Sequence, residues 1–538
     1  MNYKEFYLED EFIYFNKNKL TLKFISRYYR YGSPNEIKGV VSYDKDIKIL
    51  LCDTKEFTDF DIVFQYSRDI KNSGFRLIVD PKKETIIEAS DERGIRNGYK
   101  ALCNQIKKTS KGIYVPKVVI NHEPTLKISG VIEGFYGKPW SKENRLDCIR
   151  FIGKESMNTY MYAPKDDIYH RDEWRKLYPQ DKVSEFKEII EECKNNYVEF
   201  YYMIAPGKDF DFTNENDYIA LKEKLTQLIE LGISNFGVLM DDIEYRISNE
   251  ILRKFPTPAH AQSYVINNIY KFLYENIEDF SLIMCPTEYD IDYDSPYLHT
   301  LSKKLLPEVK IFWTGNETLS HRITKESFDK ISSILNHDII IWDNVPVNDF
   351  EKDKELIFIA PYENRSPYLA NENLYGIVLN PMDRWEASKF TLASFAQYAW
   401  NAQNFRGKDD FKKAIQEVVD SDIVEDIYTF SQYFRNSRVS SSLPFYLFDM
   451  LNRKDYDEID KELDKLWNVT KRIKEFVPRA LIDSIMPWIL RVEREEELWK
   501  TFRNGDVEKA KDQLQVLEKE EYKTPANLVV KAIQKALY

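Results

Sequence analysis

Eight short apolar runs, each followed by polar or Gly/Pro residues, constrain this chain more than any other feature. They are "GVIEGF" (130–135), "TYMYAP" (159–164), "EFYYMIAP" (199–206), "NFGVLMDD" (235–242), "SLIMCP" (281–286), "KIFWTG" (310–315), "IIIWDN" (339–344) and "GIVLNP" (376–381). Runs of this length and composition read as buried strands. Helical patterns lie between them. "ALKEKLTQLIELG" places Leu221, Leu225, Leu228 and Ile229 on one face and stops at Gly232, the residue type that ends helices. Eight strands alternating with helices predict an α/β fold built on a central (β/α)8 TIM barrel.

The flanks have a different texture. With 538 residues the chain is too long for one core. Before the barrel, "EFIYF" and "LTLKFI" read as strands, and "GFRLIVDPKKETIIEAS" as two strands joined across Pro81. "ERGIRNGYKALCNQI" reads as a helix with Ile95, Tyr99, Leu102 and Ile106 on one face. After the barrel, "FKKAIQEVVDSDIVEDIYTFSQYF", "DEIDKELDKLWNVTKRIKEF", "ALIDSIMPWILRVEREEELWKTF" and "DVEKAKDQLQVLEKE" are helical by period, with "SRVSSSLPF" as the clearest break. The expected organisation is a small α/β domain over 1–125, the barrel over 126–404 and an α-helical bundle domain over 405–538.

Bulk properties exclude several functions. The net charge of −12 argues against a general nucleic-acid binder, since phosphate contacts need clustered Lys and Arg. Five scattered cysteines without CxxC spacing suggest a reducing compartment and no disulfide framework. Six histidines form no HxxxH or HExxH pair, so no metal or other cofactor is expected. "MNYKEFYLEDEF" has no apolar core of a signal peptide, and no apolar run is long enough to span a bilayer. A cytoplasmic protein without membrane partners is the expectation.

A barrel of this kind carries its active site at the C-terminal strand ends. Those ends collect Gly134 and Tyr136, Lys165, "APGKD", the adjacent Asp241 and Asp242, "CPTEY" with Tyr289, Trp313 and Thr314, Trp342 with Asn344 and Asp349, and Asn380. Singly, each has an ordinary explanation. An aspartate at a strand end is a turn former or helix cap, a lysine can be solvated, and a tryptophan can pack the rim. Jointly, the set suits a sugar pocket. Carboxylates and amides fix hydroxyls, and aromatic walls contact the apolar face of the ring.

These motifs resemble glycoside hydrolase family 84, the β-N-acetylglucosaminidases that include bacterial hexosaminidases and eukaryotic protein O-GlcNAcase. The resemblance rests on "GVIEGFYGKPWS" (130–141), "NTYMYAPKDDIYHRDEWRKLYP" (158–179), "YYMIAPGKDF" (201–210), "FGVLMDDIE" (236–244), "CPTEY" (285–289), "WDNVPVND" (342–349) and "LNPMDRWEASK" (379–389). It spans the whole barrel in family order. It also takes in the preceding α/β domain and, more loosely, the helical tail.

The resemblance implies a GlcNAc-bearing glycan or glycoprotein substrate and substrate-assisted catalysis, a route outside the usual two-carboxylate scheme. By family pattern Asp241 orients and polarises the 2-acetamido group, and Asp242 is the general acid/base. Tyr289 matches the tyrosine that bonds the acetamido oxygen. Asn344 matches a residue near the acid, and Asp349 the aspartate that binds the 4- and 6-hydroxyls. Asn380, Lys165 and Gly134 match positions around the 3- and 4-hydroxyls. Trp342 and Cys285 match the N-acetyl wall, and Tyr136 the mouth. Asp343 departs from the expected apolar or aromatic residue. Adjacent strand residues face opposite sides, so Asp241 and Asp242 can share one pocket only if the strand geometry breaks there. The resemblance leaves open a homodimer through the helical tail. It also leaves open hyaluronan or another glycan as substrate. The residues by themselves leave open a non-catalytic sugar-binding module and a metal hydrolase using the Asp pair.

Overall fold

The computed structural model describes strand segments 14–15, 18–19, 25–30, 33–38, 50–52, 107–109 and 112–114, residues 62–79 and 85–105, and residues 118–537 except 242, 244–247, 351–353, 371–372, 436, 438, 440–444 and 525–526. The chain divides into two compact units, Met1–Lys127 and Ile128–Tyr538.

The first unit holds a mixed seven-stranded sheet. Its spatial order is Val118–His122, Phe75–Val79, Thr85–Ala89, Ile62–Tyr66, Leu50–Cys52, Ile25–Arg30 and Ser33–Lys38. The two strands expected around Pro81 pair antiparallel, Phe75 opposite Ala89; residues 80–84 between them lie outside the described residues. Helix Glu92–Gln105 packs on both through buried Ile95 and Leu102, while Ile106 lies outside the described residues. Of the first two expected strands, Tyr14–Phe15 is a strand and Ile25 opens one. Residues 11–13 and 20–24 lie outside the described residues.

The second unit contains the predicted barrel. Its strands are Ile128–Glu133, Thr159–Tyr162, Glu199–Ile204, Asn235–Leu239, Ser281–Cys285, Lys310–Trp313, Ile339–Asp343 and Leu374–Leu379. Each pairs in parallel with the next, and the eighth returns to the first, Ile128 opposite Gly376. Strands covered on both faces need continuous apolar sequence, hence the eight runs. Alternate residues fill the interior, among them Ile132, Met161, Met203, Leu239, Ile283, Phe312, Ile340 and Val378. Several of the intervening helices start on side-chain caps: Ser141, Thr257, Ser295 and Thr324 each accept a bond from a first-turn N–H. Helix Glu215–Glu230 ends as expected, with Gly232 at φ +88°.

The tail is helical. The first expected stretch is divided into Phe411–Gln416, a 3-10 turn at Ser421–Ile423 and Val424–Phe434. Helices Tyr456–Phe476, Arg479–Arg503 and Val507–Lys519 match the other three. Most of "SRVSSSLPF" lies outside the described residues. The tail belongs to the same compact unit as the barrel. Helix Arg479–Arg503 packs on barrel helix Trp385–Trp400.

Candidate active site

Regular pairing of the fourth strand ends just past Leu239. The Met240 N–H still donates to the Cys285 carbonyl at 2.9 Å. Leu239 lies in the barrel core, and two residues on, Asp241 lines a cavity at the barrel mouth. Its carboxylate is 2.9 Å from Lys165 Nζ, with the two side chains only 10% and 4% exposed. The same ammonium lies 5.4 Å from the Tyr136 ring centre and 5.6 Å from that of Trp342. Lys165 is therefore held by one carboxylate and two aromatic faces. Asp242 lies outside the described residues.

A shelf of amides stands beside this pair. Asn344 Oδ1 accepts from Trp342 Nε1 at 3.0 Å and from Asn380 Nδ2 at 2.9 Å. Asn344 Nδ2 donates to the Thr318 carbonyl at 2.7 Å. Asn380 Oδ1 in turn accepts from the Gly134 N–H at 3.3 Å. Each amide is thus oriented by a partner that can act in only one sense. Gly134 is glycine for a steric reason: a Cβ there would lie 2.4 Å from Trp342 Cζ2. Asp349 accepts the Tyr136 N–H at 2.6 Å, and burial pushes its carboxyl above the ordinary aspartate range. Cys285 is a buried thiol in the wall, Trp342 is 5% exposed and Tyr136, at 43%, is exposed at the mouth.

The cavity is about 250 Å³. That is below the roughly 300–1,000 Å³ of drug-sized ligand sites, and on the scale of one sugar ring. All the described members of the expected site line it: Gly134, Tyr136, Lys165, Asp241, Cys285, Tyr289, Trp342, Asn344, Asp349 and Asn380. Thr314, collected from the sixth strand end, joins them, with Thr318, Leu319, Val347 and Phe350, which sequence reasoning missed. The last two flank Asp349 in one loop, which was the available signal. Trp313 is not in the cavity; it is buried against Phe328, with Nε1 on the Ile291 carbonyl at 2.9 Å.

Two rim carboxylates turn away from the pocket. Asp343 is fully buried and takes a fork from Arg365, at 2.7 Å from Nε and 2.5 Å from Nη2, and a bond from Tyr362 at 2.9 Å. This explains the departure noted in the sequence. Trp342 points inward, so its neighbour must point into the helix layer, where an arginine meets it. Glu133, in "EGF", is likewise bound by Arg145 at 2.8 and 2.9 Å and by Tyr160. Among the described residues no group of three His, Cys, Asp or Glu side chains could hold a metal ion. No helix among them is long and apolar enough to cross a membrane.

A closed parallel barrel whose strand ends gather carboxylates, amides and aromatic walls around a cavity of this size defines a carbohydrate-active barrel protein. Residues 129–432 match the family model described as beta-N-acetylglucosaminidase, and the chain belongs to that family, glycoside hydrolase family 84. The Protein O-GlcNAcases of Rattus norvegicus and Mus musculus are each 37% identical to it over 286 residues, 52% of this chain. The chain spans only 30% of the length of those relatives. Among solved structures, a mutant O-GlcNAc hydrolase of Thermobaculum terrenum superposes with a TM-score of 0.71 at 27% identity, covering 77% of this chain and 94% of that one. CpGH84B superposes with a TM-score of 0.77 at 26% identity, covering 91% and 92%.

Proposed function

We propose that the protein is an exo-acting β-N-acetylglucosaminidase that releases terminal β-linked GlcNAc with retention, by substrate-assisted catalysis. The observation that carries this reading is a monosaccharide-sized cavity in which Asp241 faces a lysine, beside the Asn344–Asn380 shelf and Asp349. In this reading Asp241 receives the acetamido N–H and steadies the positive charge that develops there. The acetamido oxygen, bonded by Tyr289, attacks the anomeric carbon. The glycosidic C–O bond breaks as Asp242 protonates the departing oxygen, leaving an oxazoline. Water, deprotonated by Asp242, opens the ring and returns the β-anomer. Asn380, Asp349 and the Gly134 strand end hold the ring hydroxyls.

The names of the mammalian relatives favour O-GlcNAc on protein Ser or Thr as substrate over hyaluronan or another glycan. The test is turnover of an aryl β-N-acetylglucosaminide by wild type, Asp241→Ala and Asp242→Ala. Wild type should turn over. Asp242→Ala should recover on leaving groups of low pKa, which need less protonation, whereas Asp241→Ala should not. An inactive wild type, or an unchanged rate when the N-acetyl group is replaced by a non-nucleophilic one, overturns the reading. Comparing release from an O-GlcNAc peptide and from hyaluronan oligosaccharides decides the substrate class.

A further inference from the structure

The fourth strand raises a geometric problem: its end must leave the ladder where Asp241 begins. The register sets Leu239 opposite Cys285. Continued by one residue, Met240 falls opposite Pro286, and the Met240 N–H on the Cys285 carbonyl is the bond that a parallel ladder requires there. The matching bond would bring the backbone N–H of Thr287 to the Met240 carbonyl. The structure breaks that bond and replaces it. The Thr287 N–H donates instead to the hydroxyl of Tyr297 at 3.0 Å, and the Thr287 side chain takes the Met240 carbonyl at 2.9 Å.

The two halves of this exchange are joined through Gln262. Tyr297 donates to Gln262 Oε1, and Gln262 Nε2 donates to Thr287 Oγ1 at 2.9 Å. Gln262 lies in helix Pro258–Asn276, and Tyr297 in the first turn of helix Pro296–Lys304. Both are buried, at 2% and 3% exposure. The polarity of the ring is forced. A backbone N–H at Thr287 can only donate, and a carbonyl at Met240 can only accept. The tyrosine proton must therefore go to the glutamine oxygen, the glutamine N–H to the threonine oxygen and the threonine proton to Met240.

From this ring we infer that Gln262, Tyr297 and Thr287 form a positioning device for the reaction. The ring sits directly before Asp241 on one strand and two residues before Tyr289 on the next. These are the two groups that the proposed function places on the acetamido N–H and oxygen, so the inference rests on that reading. The ring ends the ladder at a defined atom, lets the chain open at Asp241 and sets the acetamide-binding pair in one frame. None of its three members is required to touch the sugar.

The test uses the full chain and an aryl β-N-acetylglucosaminide with wild type, Thr287→Val, Thr287→Ser and Gln262→Glu. Thr287→Val keeps the shape and deletes the hydroxyl. Thr287→Ser restores it. In Gln262→Glu the carboxylate must accept from both neighbours, so the single threonine proton leaves the Met240 carbonyl. Misplacing an orienting group by about an ångström costs on the order of 100-fold in rate. We expect kcat to fall about 10- to 100-fold in Thr287→Val and Gln262→Glu, with KM within about threefold of wild type, and Thr287→Ser to stay near wild type. The dependence of kcat on stepwise fluorination of the N-acyl group, which reads how far the acetamido oxygen participates, should change in the two impaired variants. A role in folding alone would lower melting temperature and active fraction but leave that dependence as in wild type. Wild-type kcat in Thr287→Val, or an unaltered fluorination dependence, overturns the inference while wild-type turnover stands. An inactive wild type overturns the underlying reading instead.

Discussion

Asp349 carries opposed demands on one side chain. Its carboxyl is half-buried, and that burial holds it above the ordinary aspartate range, so folding opposes its ionisation. Its contribution to stability is full below the unfolded value, about 3.9, and is lost as pH rises through the raised one. Asp349→Asn should therefore melt higher than wild type at neutral pH, by a margin that widens as pH climbs through that window. Its KM for the aryl substrate should rise roughly tenfold or more, the scale of one lost charged hydrogen bond. A melting margin that stays flat with pH would contradict the assignment. Gly134→Ala tests the neighbouring wall. The new methyl must displace Trp342, an overpacking cost of about 1–3 kcal/mol, and activity should fall further than stability because that ring shapes the cavity. Sequence reasoning found these residues because strand ends are easily located and their carboxylates, amides and aromatics stand out against the apolar runs. It missed Thr318, Leu319, Val347 and Phe350 because no periodicity tells which loop residues fold back over a pocket.

Asp343 shows what an element adds to a residue. On the seventh strand Ile340 and Trp342 face the barrel core, so Asp343 faces the helix layer, where the Arg365 fork and Tyr362 satisfy it. Its backbone carbonyl also receives the N–H groups of Val345 and Asn380, at 2.8 Å each. The pair thus fixes the strand end from which Asn344 projects. Asp343→Ala strands a buried guanidinium, and chemical denaturation should report a loss of about 3–5 kcal/mol. A loss below about 1 kcal/mol would mean that water or another group replaces the carboxylate. All eight strands were legible because each carries a short apolar run bounded by turn residues. The partner of Asp343 was not, since Arg365 is distant in sequence and no spacing rule connects a strand residue to a long loop. The ring of Gln262, Tyr297 and Thr287 was hidden for the same reason: it joins three elements whose adjacency exists only once the barrel closes.

The relation between barrel and tail belongs to the whole molecule. The other barrel helices keep a wet face: Gln180–Asn195 buries Val183, Phe186, Ile189, Ile190 and Cys193 and exposes the rest of its surface to varying degrees. Helix Trp385–Trp400 instead buries residues all round, from Trp385 through Phe390, Leu392 and Phe395 to Tyr398 and Ala399. A helix buried on every side needs cover on every side. The barrel supplies one side, and helix Arg479–Arg503 packs on it from the tail. The seam is pinned by Trp488, which is buried, donates to the Glu355 carbonyl at 3.1 Å and carries Arg384 over its ring at 5.7 Å. Lys523 holds the same glutamate through its N–H at 2.9 Å and its ammonium at 2.6 Å. The tail is therefore part of the fold that supports the cavity, and a protein ending at residue 404 should be insoluble or lack a cooperative melting transition. In the full chain, Trp488→Ala should cost about 3–5 kcal/mol, the scale of a deleted core tryptophan. It should lower the calorimetric transition of residues 128–538 as one event, because no separate core remains for the tail to keep. A soluble, active protein truncated at 404, or a second transition in Trp488→Ala, would show that barrel and tail fold independently.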